Sequence, residues 1–345
     1  MNVRLGVARG KKMIVVYTGP LVAKEKHMAT NHAVVVDRAV PATLTVREVA
    51  LPTPLPSEAL VRVAAISLNR GETRRAMEAA DGWCPGWDLA GVVVQAAADG
   101  SGPPTGARVV GFLRSGAWAE SVVVPTNALA ELPDAVTFAQ AATLPVAGLT
   151  ALHALAKRGL LLHRRVCITG ATGGVGDFAI QLAHLAGAEV IAQVRRPDQV
   201  TMVKQIGADA VVIGEETAAF AQHAPYDLVL ESVGGQCLAA ALTTLAKDGV
   251  CVSLGGSASH EVTCDIRQFR QTGRTTLYGF ILFEELALEP AAVGLAHLAG
   301  LIAVGQLKPT ISVEAPWTKI GQVARQLLDR KFVGKAVLHV AAEPR

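Results

Sequence analysis

The run Cys167-Ile168-Thr169-Gly170-Ala171-Thr172-Gly173-Gly174-Val175-Gly176 carries the clearest chemistry in this sequence. An apolar stretch, Arg165 to Thr169, enters a glycine-rich turn. The turn opens into Asp177-Phe178-Ala179-Ile180-Gln181-Leu182-Ala183, whose apolar spacing is helical. Glycines let the backbone bend tightly and approach a pyrophosphate closely, and a helix start offers unpaired N–H groups and the positive end of a dipole. A second strand-like run, Glu189 to Val194, follows where a βαβ unit needs it. The chemistry implied is dinucleotide binding, with Gly173, Gly174, Val175 and Gly176 against the phosphates.

The end of the second strand distinguishes the cofactors. An NAD-preferring site usually has an acid for the ribose 2′-hydroxyl roughly 20 residues past the glycines. Here the chain reads Val194-Arg195-Arg196-Pro197-Asp198. Planar guanidinium forks match phosphate oxygens, so Arg195 and Arg196 favour NADPH and its 2′-phosphate. A solvated loop with two ordinary arginines, or Asp198 on the ribose, are the alternatives.

These residues need a scaffold, and the composition allows one. The chain has 345 residues, enough for two domains; 51% are hydrophobic and 18% charged. A net charge of +3, without a basic stripe, argues against nucleic acid as partner. The five cysteines (Cys84, Cys167, Cys237, Cys251, Cys264) show no CxxC spacing, so neither a zinc knuckle nor a redox dithiol is suggested, and a reducing cytoplasm is the default. Residues 1–28 begin basic, pass through Met13-Ile14-Val15-Val16-Tyr17 and break at Gly19-Pro20. They are expected to form a disordered extension, with Met28 an alternative start; a secretory signal lacks its cleavage site. Pro290 to Gly305 is apolar but too short for a membrane span and is expected as a buried helix, so no membrane association is implied.

Strand-like runs at Ala33–Val36, Leu60–Ser67, Gly91–Gln95, Arg108–Phe112 and Ala117–Val124, separated by turn signals, suggest an antiparallel, barrel-like first domain. From Phe138 to about Ala156 the pattern is helical. Strands and helices then alternate: Arg165–Thr169, Gly174–Ala186, Glu189–Val194, Asp198–Ile206, Ala210–Ile213, Asp227–Glu231, Gly235–Leu245, Val250–Leu254 and Thr275–Phe280. Such alternation makes a doubly wound parallel sheet. Two helical stretches, Ala287–Val304 and Trp317–Arg330, and a strand, Gly334–Val340, are expected to return to the first domain.

Taken in order, several motifs resemble the medium-chain dehydrogenase/reductase family in its zinc-independent, quinone oxidoreductase branch. They are Leu68-Asn69-Arg70-Gly71-Glu72, Pro85-Gly86-Trp87-Asp88-Leu89-Ala90-Gly91, Gly106-Ala107-Arg108-Val109-Val110-Gly111, Ala141-Ala142-Thr143-Leu144-Pro145 with Gly148-Leu149-Thr150-Ala151, the glycine turn, Glu231-Ser232-Val233-Gly234-Gly235 and Gly334-Lys335-Ala336-Val337-Leu338. The resemblance covers about residues 30–342. It implies an α/β fold: a Rossmann doubly wound domain over 147–282 and a GroES-like β domain over 29–146 and 283–345. Zinc-dependent relatives carry a catalytic cysteine where this chain has Asn69 to Glu72, and Gly-His-Glu where it has Gly86-Trp87-Asp88. Zinc needs three or four ligands, so no metal is expected.

The resemblance also implies site residues. Thr150 is placed near the nicotinamide carboxamide, Gly174-Val175 at the pyrophosphate, Ser232 and Leu254-Gly255-Gly256 at two strand ends, Phe280-Ile281 against the nicotinamide, and Lys335 over the cofactor. The simpler alternatives are a helix cap for Thr150 and a surface lysine for Lys335. Asn69 is the candidate catalytic residue, orienting the nicotinamide ribose or a substrate carbonyl, with a turn residue as the alternative. Trp83 and Trp87 either wall a flat pocket or pack. No convincing proton donor stands out; Tyr226 and Tyr278 are weak candidates. The expected activity is hydride transfer from NADPH to quinones or α,β-unsaturated carbonyls, with an enoyl-thioester reductase or a non-catalytic nucleotide binder as alternatives. A homodimer through the edge strand Thr275–Phe280 is expected from the resemblance.

Overall fold

The strands Arg165–Ile168, Glu189–Val194 and Tyr226–Glu231 are almost continuously apolar because both faces of their sheet are covered. Val166, Ile168, Leu228 and Leu230 pack into one core, while Cys167, Val229 and Cys251 alternate into a second core on the other face. Burial of such side chains contributes about 1.5–3 kcal/mol each. Cys167, Cys237 and Cys251 are free and buried, and act as packing residues.

The computed structural model describes residues 30–40 and 42–340; the extension expected over 1–28 lies outside them. Six parallel strands, Ala210–Ile213, Glu189–Val194, Arg165–Ile168, Tyr226–Glu231, Leu245–Ser253 and Thr276–Gly279, lie side by side in that order. Counted along the domain this is 3-2-1-4-5-6, the order of a Rossmann sheet. The helix Gly174–Leu185 buries Phe178, Ala179, Ile180 and Ala183 and ends at Gly187, whose φ of +76° suits the left-handed position after a helix.

Thr30–Val36 and Leu44–Ala50 form a separate antiparallel pair, and a larger sheet orders its strands Ile311–Pro316, Lys335–His339, Glu58–Ser67, Asp88–Gln95, Arg108–Phe112 and Leu129–Glu131, with Ser121–Pro125 also paired to Glu58–Ser67. That long strand pairs with Asp88–Gln95 along its length, with Ser121–Pro125 through its first half and with Lys335–His339 through its last residues. The last two share one edge of it in succession, opposite Asp88–Gln95. The pairings are antiparallel, except that Ile311–Pro316 runs parallel to Lys335–His339, an element the sequence patterns did not suggest. Its core joins Ile66, Leu89 and Trp118 to Ile320, Val323 and Leu338, so the returning segment completes the first domain.

Two expected helices are divided. Phe138–Ala156 becomes a short helix, a wider-wound turn at Leu144–Gly148 containing Pro145, and the helix Leu149–Ala156. Ala287–Val304 becomes Leu282–Leu288 and Ala291–Ala303, bent by 102° at Glu289-Pro290. A residue before proline avoids helical geometry, and Glu289 is extended (φ −135°, ψ 120°). The second helix is buried along Leu295, Leu298, Ala299 and Ile302. No single helix among the described residues is long and apolar enough to cross a membrane.

Candidate functional site between the two domains

The parallel sheet brings the expected nucleotide residues to one end. Ile168 lies opposite Ala192 and Leu230, Glu231 opposite Ser253, Ser253 opposite Gly279, and Val194 opposite Ile213. Gly170, Arg195, Ser232, Leu254 and Phe280 therefore all leave the sheet at its carboxyl edge. The strand order reverses between Arg165–Ile168 and Tyr226–Glu231, which is where such sheets bind ligands.

The turn there is held rigid from below. Gln193 accepts from the Gly170 N–H at 3.0 Å and donates to the Gly214 carbonyl at 2.9 Å. Ser232 Oγ donates to the Thr169 carbonyl at 3.0 Å. A Cβ on Gly170, whose φ is +58°, would stand 2.6 Å from that hydroxyl, so only glycine fits. The buried Glu231 carboxylate accepts from Thr169 Oγ1 at 3.2 Å and from the Val233 and Gly234 N–H groups at 2.8 and 3.0 Å. Burial nonetheless raises its carboxyl above the ordinary range. Gly255 packs behind Ser232 and Gly256 against His260. Gly173 is exposed, Val175 is half-buried, and Gly176 lies so close to Ala171 that a Cβ would reach 2.6 Å from its carbonyl oxygen. Thr150 is the second residue of its helix and not its cap; it is buried, and its hydroxyl takes no protein partner among the described residues. Phe280 is buried, and Ile281, next to it in sequence, is exposed.

Both candidate arginines sit at the end of Glu189–Val194, exposed. Arg196 pairs with Asp198 at 3.0 Å, which engages that carboxylate. Partial burial lowers the Arg195 pKa, followed by repulsion from Arg330 and Arg196; Glu215 opposes them. Arg330 was not singled out from the sequence. It follows the helix Ile320–Leu328 in a left-handed conformation (φ +57°) and donates to the Ser257 carbonyl at 2.7 Å, across the domain boundary. Its sequence signal is only a basic pair, Arg330-Lys331, shortly before Gly334-Lys335.

Asn69 and Lys335 meet in a buried polar hub. Lys335 is 2% exposed, so it is no surface lysine. Its ammonium donates to Asn69 Oδ1 at 2.6 Å, the Leu68 carbonyl at 3.0 Å and Asp88 Oδ2 at 3.4 Å. Its methylene stem, and not its charge, lies against the glycine turn: a Cβ on Gly174 would come within 2.7 Å of Lys335 Cδ. Asn69 is the N-cap of an unforeseen helix, Arg70–Glu78. Its Nδ2 donates to Glu72 Oε1 at 2.9 Å and Asp88 Oδ2 at 2.7 Å, so both amide protons are used inside the protein. Glu72 Oε1 also accepts from the Asn69 N–H at 2.8 Å, which makes a capping box. Asp88 Oδ1 accepts from the Val146 N–H at 3.0 Å, in the turn between the domains. Burial, and then Asp88, push the Glu72 carboxyl well above the ordinary range, and its Oε2 is buried without a partner. Burial also raises Asp88, against the pull of Lys335.

Trp87 stands edge-on to Phe283 at 5.2 Å and donates from Nε1 to the Arg114 carbonyl at 3.0 Å. Phe112 packs on Phe283 at 5.5 Å, so an aromatic wall forms where the two domains meet. Trp83 is elsewhere, under Arg75 at 5.2 Å and within the first domain's core. The hydroxyls of the two candidate tyrosines are engaged: Tyr226 donates to the Phe220 carbonyl and Tyr278 to Glu285 Oε1, each at 2.6 Å. Burial raises the Tyr226 pKa far above the phenol range. Among the described residues no group of three or more His, Cys, Asp or Glu is placed to hold a metal.

A Rossmann sheet with its glycine turn, hinged to an antiparallel sheet, defines a two-domain nucleotide-dependent oxidoreductase. Comparison with known proteins agrees. Residues 55–134 match the alcohol dehydrogenase GroES-like domain and residues 174–297 the domain described as zinc-binding dehydrogenase. A chloroplast envelope quinone oxidoreductase homolog of Arabidopsis thaliana is 28% identical over 311 residues, 84% of this chain and 92% of that one. The mitochondrial NAD(P)H oxidoreductase RTN4IP1 of Bos taurus is 30% identical over 282 residues, 74% of this chain and 70% of that one. A mycobacterial protein solved in complex with NADPH superposes with a TM-score of 0.80 at 25% identity, over 90% of this chain and 99% of that one. The chain belongs to the medium-chain dehydrogenase/reductase family, in its quinone oxidoreductase-like branch.

Proposed function

We propose that the protein is an NADPH-dependent, metal-free oxidoreductase that reduces small quinones or α,β-unsaturated carbonyls. The observation that carries this reading is the position of Arg195 at the strand end where an NAD site would hold an acid. The cradle fits the nucleotide: Gly173 is exposed, and an added Cβ would meet only the Gly170 carbonyl oxygen. Gly173, Gly174, Val175 and Gly176 would take the pyrophosphate, Arg195 the 2′-phosphate, Ser232 and Leu254-Gly255-Gly256 the dinucleotide at their two strand ends, and Thr150, Phe280 and Ile281 the nicotinamide. When bound, the cofactor supplies a hydride.

The chain's own residues bind, orient and exclude water. Trp87, Phe112 and Phe283 offer a flat apolar wall for a planar acceptor. Asn69 and Lys335 fix one another within the first domain, since their polar atoms face one another, and so hold the Lys335 stem against Gly174 of the glycine turn. Asp88 is committed to Lys335, Asn69 and the Val146 N–H, which removes the carboxylate nearest to a zinc-type position. With both candidate tyrosine hydroxyls engaged, an acceptor whose product takes its proton from water suits the site. A dimer through the edge strand Thr276–Gly279, where Leu277 is exposed, belongs to the same reading.

The test is loss of reduced-nicotinamide absorbance with NADPH or NADH, against quinones, enones and enoyl thioesters, before and after dialysis against a chelator. Turnover of quinones or enones with NADPH preferred, unchanged by chelation, is the expected result. Turnover confined to thioesters would move the function to enoyl-thioester reduction. Tight binding without any turnover would overturn the enzymatic reading.

A further inference from the structure

The nucleotide domain is not the only source of arginines at this end of the site. Arg70 opens the helix Arg70–Glu78 of the other domain. Its guanidinium donates to the Leu327 and Leu328 carbonyls at 3.3 and 3.1 Å, at the end of the helix that Arg330 follows. Its Nε is buried and has no hydrogen-bond partner. Arg330 in turn reaches back to Ser257 of the nucleotide domain. Burial lowers the Arg70 pKa first, followed by repulsion from Arg330, Arg74 and Arg195, with no carboxylate among the charges acting on it. Of the carboxylates nearby, Asp198 is paired with Arg196, Glu215 acts on Arg195, and Asp329 sits exposed between Leu328 and Arg330. Like charges gathered from two domains, with one buried N–H left unmatched, make a place for an anion.

We propose that Arg70 is a specificity-determining residue for the nucleotide, receiving the 2′-phosphate together with Arg195 and Arg330. This rests on the NADPH reading above and extends it: the phosphate is read from both domains at once. A merely structural Arg70, capping the carbonyls of Leu327 and Leu328, would support every nucleotide equally.

The two roles separate in binding measured without turnover. Calorimetric titration of the full chain with 2′,5′-ADP and with 5′-AMP isolates the phosphate. The wild type is expected to favour 2′,5′-ADP, and less so at high salt. Arg70→Met is expected to lose about five- to tenfold in 2′,5′-ADP affinity and almost none for 5′-AMP. Arg70→Lys, which keeps a point charge and folds more safely, is expected to lose about twofold. Equal losses for both nucleotides, or none for either variant while Arg195→Ala abolishes the preference, would overturn the role of Arg70 alone. A wild type that does not distinguish the two nucleotides would overturn the NADPH reading as well.

Discussion

The Lys335 ammonium donates to the amide oxygen of Asn69 at 2.6 Å, joining residues 266 positions apart. Around this contact, Asp88 and Glu72 complete a hub that touches the hinge through Val146 and the glycine turn through the lysine stem. A hub of buried charge inside the first domain is sensitive to the loss of any one partner.

Lys335→Met should destabilise the protein by about 3–5 kcal/mol, because Asp88 is left buried beside Glu72 without its cation. Denaturant titration checks this. Adding Asp88→Asn should recover part of the loss, and a double variant no better than the sum of the two single ones would show that the pair is not coupled.

Glu72→Gln should remove a pH dependence. The folded-state pKa of Glu72 lies well above the unfolded value of 4.5. Folding therefore favours the protonated form, so the contribution of Glu72 is fully present below that value and is lost as pH rises through the folded pKa. Glutamine mimics the protonated carboxyl at every pH. Melting curves from acid to neutral pH should converge at the acid end, with the variant more stable at the neutral end; parallel curves would show that Glu72 does not titrate this way.

Gly176→Ala should cost about 1–3 kcal/mol and weaken nucleotide binding, because the new methyl meets the Ala171 backbone, which cannot yield as a side chain can. Gly174→Ala presses only on the Lys335 stem and should be milder. Thermal melts and nucleotide titrations of the two variants rank them.

Arg195→Ala should raise the KM for NADPH about tenfold and leave NADH within about twofold. Arg196→Ala should do less, because Arg196 already faces Asp198 at the surface. Steady-state kinetics with both cofactors decides, and equal effects of the two substitutions would show that the phosphate lies elsewhere.

What was legible in the sequence was what depends on local pattern. Glu189–Val194 was read with its bounds because a buried parallel strand is largely apolar, and Ala210–Ile213, a partly buried edge strand, because its four residues are all apolar. The glycine turn was legible because its spacing is itself the mechanism. Leu44–Ala50 and Ile311–Pro316, whose exposed faces are mixed, were missed, as was Arg70–Glu78, a charged helix that buries only Glu72, Thr73 and Ala76. At the site, Lys335 was located but its orientation was not, since that depends on Asn69 and Asp88 arriving from distant strands. Arg330 and Arg70 were invisible as a pair for the same reason: the sequence holds no trace of their convergence.

The strand Lys335–His339 is made on the ribosome after the entire nucleotide domain, yet it pairs with Ser67, Ile66 and Ala65 of the first sheet. During synthesis the early strands must therefore wait, with one flank unsatisfied, while the parallel domain emerges and can fold behind them. A ribosome stalled within the helix Ile320–Leu328 would display a finished nucleotide domain beside an incomplete partner.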